Sequence, residues 1–322
     1  MSGEPSPAAA AHRRPAAAGP LKRRTATLSV ISNSTLILVK VIAATLTGSV
    51  AILTEAVHSS VDLVASIVAL WSVQKAEEPA DDTHRYGHEK VENLAAAIEA
   101  VLILIGSAAI VFEAVRRLIR GGETHNVWIG VVVIAVAAVV NFAVSAVIAR
   151  GGRQTGSPAL QGDALHLRTD AISSLAVLLA LVLVAITGAH WIDPVAALLV
   201  AGWIIVSGVR LLARAGQVLV DQALPVAETD AIAAVIATFS DRGVVGFHEL
   251  RTRSGGSQRY VDVHLQFQHG TSLVDAHRTA HELQDAIADL LGGADVLIHL
   301  EPEDRVRPGE TFAGSQSSRL DP

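Results

Sequence analysis

Six long apolar stretches constrain the fold of this sequence more than any other feature. They run from about residue 27 to 48, 50 to 74, 94 to 119, 127 to 148, 164 to 187 and 191 to 212. A helix of roughly 20 apolar residues crosses the hydrocarbon core of a bilayer, so each stretch is long enough to do so. Because 51% of the 322 residues are hydrophobic and 17% are charged, the chain is too apolar for a soluble protein of this length. The sequence therefore predicts an all-α transmembrane domain of six helices in a lipid bilayer.

Lys and Arg residues are distributed unevenly between the two sides of the predicted membrane domain. Twelve lie on the side of the N-terminus, and three, Arg116, Arg117 and Arg120, lie on the other. Because Lys- and Arg-rich loops stay in the cytoplasm, we expect a multi-pass protein of the plasma (inner) membrane with both termini cytoplasmic. Arg13 and Arg14 precede no short apolar segment, so no cleaved signal peptide is expected. The net charge of −6 gives no reason to expect nucleic acid as a partner.

The segment after the sixth apolar stretch changes to short elements of mixed polarity. We expect helices at Pro225–Phe239 and Ser272–Leu291 and strands at Val244–Arg253, Arg259–Gln268 and Asp295–Glu301. This αββαβ order predicts a ferredoxin-like or metallochaperone-like α+β domain with both helices on one face of its sheet. The predicted domains are a disordered tail at 1–24, a transmembrane domain at 25–215, a cytoplasmic metal-binding domain at 216–304 and a disordered tail at 305–322.

An unusual pattern of an acid, a His and an Asp occurs twice inside the apolar stretches. It reads Glu55-Ala-Val-His58-Ser-Ser-Val-Asp62 in the second stretch and Asp163-Ala-Leu-His166-Leu-Arg-Thr-Asp170 in the fifth. Since residues four apart share a helix face, two packed helices would present both imidazoles and both Asp carboxylates to one point. Zinc accepts such an N2O2 set. A bound cation would also offset the ~2.5 to 3.5 kcal/mol that an Asp costs at the centre of a membrane helix.

The alternative for these residues is plain hydrogen bonding between helices, and the repetition of the pattern favours the metal site. Glu55 and Asp163 could support the ligands, relay protons or simply lie at a helix interface. Lys40 could pair with Glu99 or extend to the membrane surface. The chain has no Cys, which excludes disulfides and leaves His, Asp and Glu as metal ligands.

Two further groups of His and acidic residues lie outside the apolar stretches. Asp81, His84 and His88 follow the second stretch and could hold one ion, with Asp82 as a substitute ligand, or form a solvated acidic loop. In the predicted sheet, His264, His299 and Glu301 point away from the helix-packed face because residues alternate along a strand. With His248 and His277 they could hold one or two metal ions.

The chain resembles the cation diffusion facilitator family, in particular its bacterial zinc and iron exporters. The resemblance is carried by the paired intramembrane pattern, by Asp-Asp-x-His-x-Tyr-Gly-His-x-Lys-x-Glu at 81–92, by Val-Asp-Gln-Ala-Leu-Pro at 220–225 and by Leu-Arg-Thr-Arg at 250–253. It implies a homodimer with a transport site at His58, Asp62, His166 and Asp170, a loop site at Asp81, His84 and His88, and a cytoplasmic site at His248, His264, His277, His299 and Glu301. It also implies a charge interlock between Lys90 and Asp221.

Two positions depart from common family patterns. Position 58 is His where some bacterial relatives carry Asp, and imidazole favours zinc over manganese or magnesium. Position 301 is Glu where Asp is common. We therefore expect a proton-coupled antiporter that exports divalent cations, foremost Zn2+, and that is no enzyme. The alternatives are an exporter of Fe2+, Cd2+, Co2+ or Mn2+, a membrane metal sensor that does not transport, and, from a different class, a zinc-dependent hydrolase, which the full quartet and the absence of a protease signature disfavour.

Overall fold

The computed structural model describes residues 18–47, 50–120, 128–187, 189, 191–256 and 258–303. By its internal contacts the chain divides into two compact units, one covering Ala17–Leu219 and the other beginning at Val220.

The first unit contains six long helices, as the apolar stretches predicted. They are α1 (Ala18–Thr47), α2 (Val50–Ala76), α3 (Lys90–Arg120), α4 (Trp128–Thr155), α5 (Pro158–Thr187) and α6 (Ile192–Leu219). Within the described residues, α1, α3, α4 and α6 each hold a span long and apolar enough to cross a membrane: Gly19–Ala43, Lys90–Arg116, Ala135–Thr155 and Pro194–Leu219.

Small side chains fill the contacts between these helices, and large apolar ones point outward. Lipid is as apolar as Leu, so membrane helices associate through close packing rather than through hydrophobic burial. The fully buried alanines of the unit include Ala26, Ala69, Ala96, Ala159 and Ala201. The large exposed side chains include Phe112, Leu199 and Ile186. This reversal of a soluble protein's pattern is what a lipid-facing surface requires.

The first helix begins earlier than predicted. It starts at Ala18, so the prediction of a disordered tail through residue 24 is wrong for residues 18–24; residues 1–17 and 304–322 lie outside the described part of the chain. The reason is electrostatic: Lys22 forms a buried ion pair with Glu92 at 2.7 Å, and Arg23 pairs with Glu77 at 2.5 Å. These contacts attach the start of α1 to α2 and α3.

The second unit has the predicted αββαβ order. It consists of α7 (Val226–Ala237), β1 (Val244–Ser254), β2 (Arg259–Phe267), α8 (Leu273–Leu290) and β3 (Ala294–Pro302). β1 pairs with β2 in antiparallel fashion and β2 pairs with β3 in parallel. Pro225 precedes α7, and the Ser272 hydroxyl caps α8 by accepting a hydrogen bond from the Asp275 N–H.

The core of the second unit lies between the two helices and one face of the sheet. Ile232 and Ile236 of α7 and Leu283 and Ile287 of α8 are fully buried there against the apolar residues of β2, Val261, Val263 and Leu265. Because side chains alternate along a strand, the intervening residues of β2 are presented on the opposite face of the sheet.

Candidate metal sites

The membrane unit brings together three residues of the predicted transport site. Asp62 comes from α2, and His166 and Asp170 come from neighbouring turns of α5. The His166 Nε2 atom lies 3.2 Å from Asp62 Oδ1 and 3.8 Å from Asp170 Oδ2. One ligand atom from each residue fits within 4.8 Å of the others, so a single ion could contact all three. The fourth predicted ligand, His58, and its neighbour Glu55 have side chains outside the described part of the structure.

Burial raises the free-energy cost of carrying charge in this cluster. Asp62 is 5% exposed and His166 is 7% exposed, and a buried carboxylate needs a compensating partner. Asn33 of α1 donates two hydrogen bonds to α2. Its Nδ2 atom donates to the Asp62 carbonyl at 3.5 Å and to the Ser66 hydroxyl at 2.7 Å. The cluster therefore combines one imidazole and two carboxylates inside the helix bundle, next to a helix that Asn33 hydrogen-bonds.

Lys40 and Arg116 have partners other than the intramembrane acids. Lys40 donates to the Ser59 hydroxyl at 2.6 Å, and no ion pair between Lys40 and Glu99 occurs among the described residues. Arg116 pairs with Glu113 of the preceding turn at 3.1 Å, whereas the side chains of Arg117 and Arg120 lie outside the described part of the chain.

The loop after α2 forms a second cluster from Asp81, His84 and His88. Asp81 Oδ1 accepts hydrogen bonds from the Thr83 hydroxyl at 2.8 Å and the His84 N–H at 2.6 Å. These bonds hold the pKa of the Asp81 carboxyl well below its usual range. His88 Nε2 lies 3.2 Å from Asp81 Oδ2. His88 is only 4% exposed, and its Nδ1 atom has no hydrogen-bond partner among the described residues, so this nitrogen is free to bind a metal ion. Asp82 is exposed and lies outside the cluster.

In the second unit, strand register places three histidines in one row. His248 of β1 lies opposite His264 of β2, which lies opposite His299 of β3. Glu301 follows two residues after His299 on the same face. His248 Nε2 and His264 Nδ1 approach the two Glu301 oxygens at 2.8 Å and 2.9 Å, and His299 Nε2 lies 3.5 Å from Glu301 Oε1.

Glu301 is thus the centre of the row, and its charge is stabilised there. Burial alone would raise the pKa of Glu301, but hydrogen bonds from His248 and His264 outweigh burial and lower it. His248, His264 and Glu301 each offer a ligand atom within 4.8 Å of the others. The arrangement is a concentrated set of nitrogen and oxygen donors on the face that the helices leave open.

Glu249 adjoins this row, although the polarity pattern of β1 does not predict it. Regular alternation along β1 would turn Glu249 to the helix side of the sheet. Instead the register shifts between His248 and Arg251, and Glu249 adopts a positive φ of 48°, which is the geometry of a β-bulge. Its carboxylate lies 3.6 Å from His264 Nε2 and 2.6 Å from Arg251. No glycine marks the bulge, so only the structure reveals it.

His277, Lys90 and Asp221 take less central positions. His277 is on α8, where its Nε2 lies 3.2 Å from Nε2 of His281, and it is not among the described residues that gather around Glu301. Asp221 adopts a φ of 59° and contacts Arg253 at 3.4 Å. Lys90 begins α3 of the first unit, so its interlock with Asp221 stays a prediction.

Two family models of cation efflux proteins match this chain. Residues 26–220 match the family model of the cation efflux transmembrane domain, and residues 218–303 match that of the cation efflux protein cytoplasmic domain. The chain belongs to the cation efflux family. The predicted resemblance to cation diffusion facilitators is therefore confirmed, as is a transmembrane helical domain followed by a cytoplasmic α+β domain.

Similar members of this cation efflux family extend over nearly the whole chain. The cation-efflux pump FieF of Cronobacter sakazakii is 36% identical over 88% of this chain and 94% of its own. FieF of Citrobacter koseri is 36% identical over 91% of this chain and 97% of its own. A solved structure of CzrB in a zinc form is 31% identical and covers 27% of this chain and 99% of its own, with a TM-score of 0.26.

Proposed function

We propose that this cation efflux protein is a proton-coupled antiporter that exports divalent cations, foremost Zn2+, through an intramembrane site of His58, Asp62, His166 and Asp170. The observation that carries the proposal is the convergence of Asp62, His166 and Asp170 at one buried point of the membrane unit. The naming of relatives as cation-efflux pumps supports the direction of transport.

The ligand chemistry supplies the coupling to protons. An imidazole must be neutral and a carboxylate must be ionised to bind a metal ion, so metal binding releases protons and protonation releases metal. A site that opens in turn to the cytoplasm and to a more acidic exterior would exchange one for the other. Rocking of one group of helices against another, around a site near the membrane midplane, would provide the alternating access.

Zinc is the proposed cargo because two imidazoles and two carboxylates suit a tetrahedral ion of intermediate softness. Export of Fe2+, Cd2+, Co2+ or Mn2+ by the same residues is the alternative, and these ions differ in the coordination they prefer. The proposed setting is the plasma (inner) membrane with both termini cytoplasmic, supported by the distribution of Lys and Arg.

Flux into proteoliposomes that contain a pH dye tests the proposal. Wild type should move Zn2+ faster than Mn2+ or Fe2+, with protons moving in the opposite direction, and Asp62→Ala should lose this flux while its protein still folds. Zinc flux that is independent of the proton gradient would refute the antiport. Wild-type protein that binds metal but moves none would instead be a membrane metal sensor.

We further propose that the chain works as a homodimer whose cytoplasmic units join more tightly when they bind metal. Support comes from the row of His248, His264 and His299 around Glu301 on a sheet face that the helices leave uncovered. The matched cytoplasmic family model carries a name that refers to a dimer. A metal that binds the dimer better than the monomer shifts the equilibrium by that difference in affinity. Lys90 and Asp221 would transmit the change between the two units.

A further inference from the structure

Two buried carboxylates in the membrane unit lie outside the predicted transport site, and the basic group that interacts with both is His166 of that site. Glu99 of α3 and Asp163 of α5 are both 0% exposed. No hydrogen bond among the described residues reaches either Glu99 oxygen or the Asp163 Oδ2 atom. Because an ionised carboxylate without a partner is costly to bury, these three oxygens require either a proton or a bound cation.

The packing of α3 against α5 is shaped around the Glu99 carboxylate. A Cβ atom at position 162 would lie 2.1 Å from Glu99 Oε2 and 3.2 Å from its Cδ, so a larger residue at 162 would displace the carboxylate from its place against α5. Asp163 is the next residue of that helix. The glycine thus brings Glu99 to the same stretch of α5 that carries the second unpartnered acid.

Hydroxyl groups complete the lining on the other side of Asp163. Ser66 of α2 donates to Asp163 Oδ1 at 3.1 Å, and Ser66 is itself 2.9 Å from the Ser29 hydroxyl of α1. The surroundings are therefore rich in oxygen donors.

We infer that Glu99 and Asp163 form a second divalent-cation site, distinct from the quartet and preceding it on the path of the transported ion. The inference rests on the proposed transport function. Asp163 comes three residues before His166, which places it about 4.5 Å nearer the N-terminal end of α5. An oxygen-only site binds zinc less tightly than a site with imidazoles. Such a weak site can pass its ion onward, as conduction through successive sites requires.

The test is the number of zinc ions bound per chain, measured by equilibrium dialysis of the purified, metal-stripped full-length protein from nanomolar to millimolar free Zn2+. Glu99→Gln preserves shape and removes the charge, and it should bind one ion fewer than wild type. Gly162→Ala keeps the carboxylate but displaces it, and it should lose the same ion. Glu113→Gln is the matched control, because Glu113 is a partly exposed glutamate of the same helix, and it should bind as many ions as wild type.

The outcomes separate this inference from the proposed function. Asp62→Ala should lose a different, tighter ion, and combining it with Glu99→Gln should remove both. If Glu99→Gln binds as many ions as wild type over the whole range, the two acids carry protons rather than metal and the second site does not exist. If instead Asp62→Ala keeps full binding and full flux while Glu99→Gln loses an ion, the quartet has been assigned wrongly and the second site stands.

Discussion

At the scale of single residues, the state of charge of each acid follows from the donors around it. Asp81 and Glu301 lie outside the membrane-spanning helices, and both have a lowered pKa because hydrogen bonds stabilise their ionised forms. Both are thus held ready to receive a cation at neutral pH. The imidazoles beside them provide the nitrogen donors that zinc prefers.

The lowered pKa of Glu301 predicts how the stability of the metal-free protein depends on pH. Its pKa in the folded chain is lower than the ordinary value of 4.5, so its ionised form stabilises the fold above that pH. This contribution should be lost as the pH falls from 4.5 through the lower folded pKa. Hydrogen exchange of β2 and β3 amides, corrected for intrinsic rates, measures the effect. Glu301→Gln should show a shallower loss of protection over this range, and an identical pH profile would contradict the argument.

At the scale of elements, long-period patterns were predictable and local irregularities were not. The six apolar stretches correspond to six helices, and the strands predicted at Val244–Arg253 and Arg259–Gln268 correspond to β1 and β2. The start of α1 was misplaced because its ion pairs join residues far apart in sequence, such as Lys22 and Glu92. The bulge at Glu249 was missed because a non-glycine residue with positive φ leaves no mark in the polarity pattern. The convergence of Asp62 with His166 followed from periodicity, whereas the role of Gly162 depends on which helices touch.

The buried ion pair between α1 and α3 yields a prediction about helix association. Lys22 Nζ lies 2.7 Å from Glu92 Oε1, and the two side chains are 10% and 3% exposed. The Ser157 hydroxyl at the start of α5 also donates to Glu92. Removing one partner of a buried pair leaves an uncompensated charge and typically costs about 3–5 kcal/mol, so Lys22→Met should clearly lower the thermal unfolding temperature in detergent.

A double variant separates this explanation from simple loss of packing. Lys22→Met combined with Glu92→Met removes both charges and should recover most of the lost stability, because apolar replacements of buried pairs are often tolerated. Arg23→Met is the control, since Arg23 is half exposed in its pair with Glu77 and should change stability by about 1 kcal/mol or less. If the double variant is as unstable as Lys22→Met, the charge of Glu92 is not the cause.

At the scale of the whole molecule, the chain joins a membrane unit with buried acids to a cytoplasmic unit with an open row of histidines. If metal at that row strengthens a homodimer, zinc should lower the dissociation constant of the full-length dimer in detergent, measured by sedimentation. We expect His264→Ala to lose most of this zinc effect, and a tenfold change would correspond to about 1.4 kcal/mol.

His269→Ala is the matched control, because His269 is an exposed histidine just beyond β2, and it should respond to zinc like wild type. If zinc strengthens the dimers of wild type, His264→Ala and His269→Ala equally, the row of histidines has no part in dimerisation. Its ligands would then serve only to bind cytoplasmic metal, and regulation of transport would have to arise within the membrane unit.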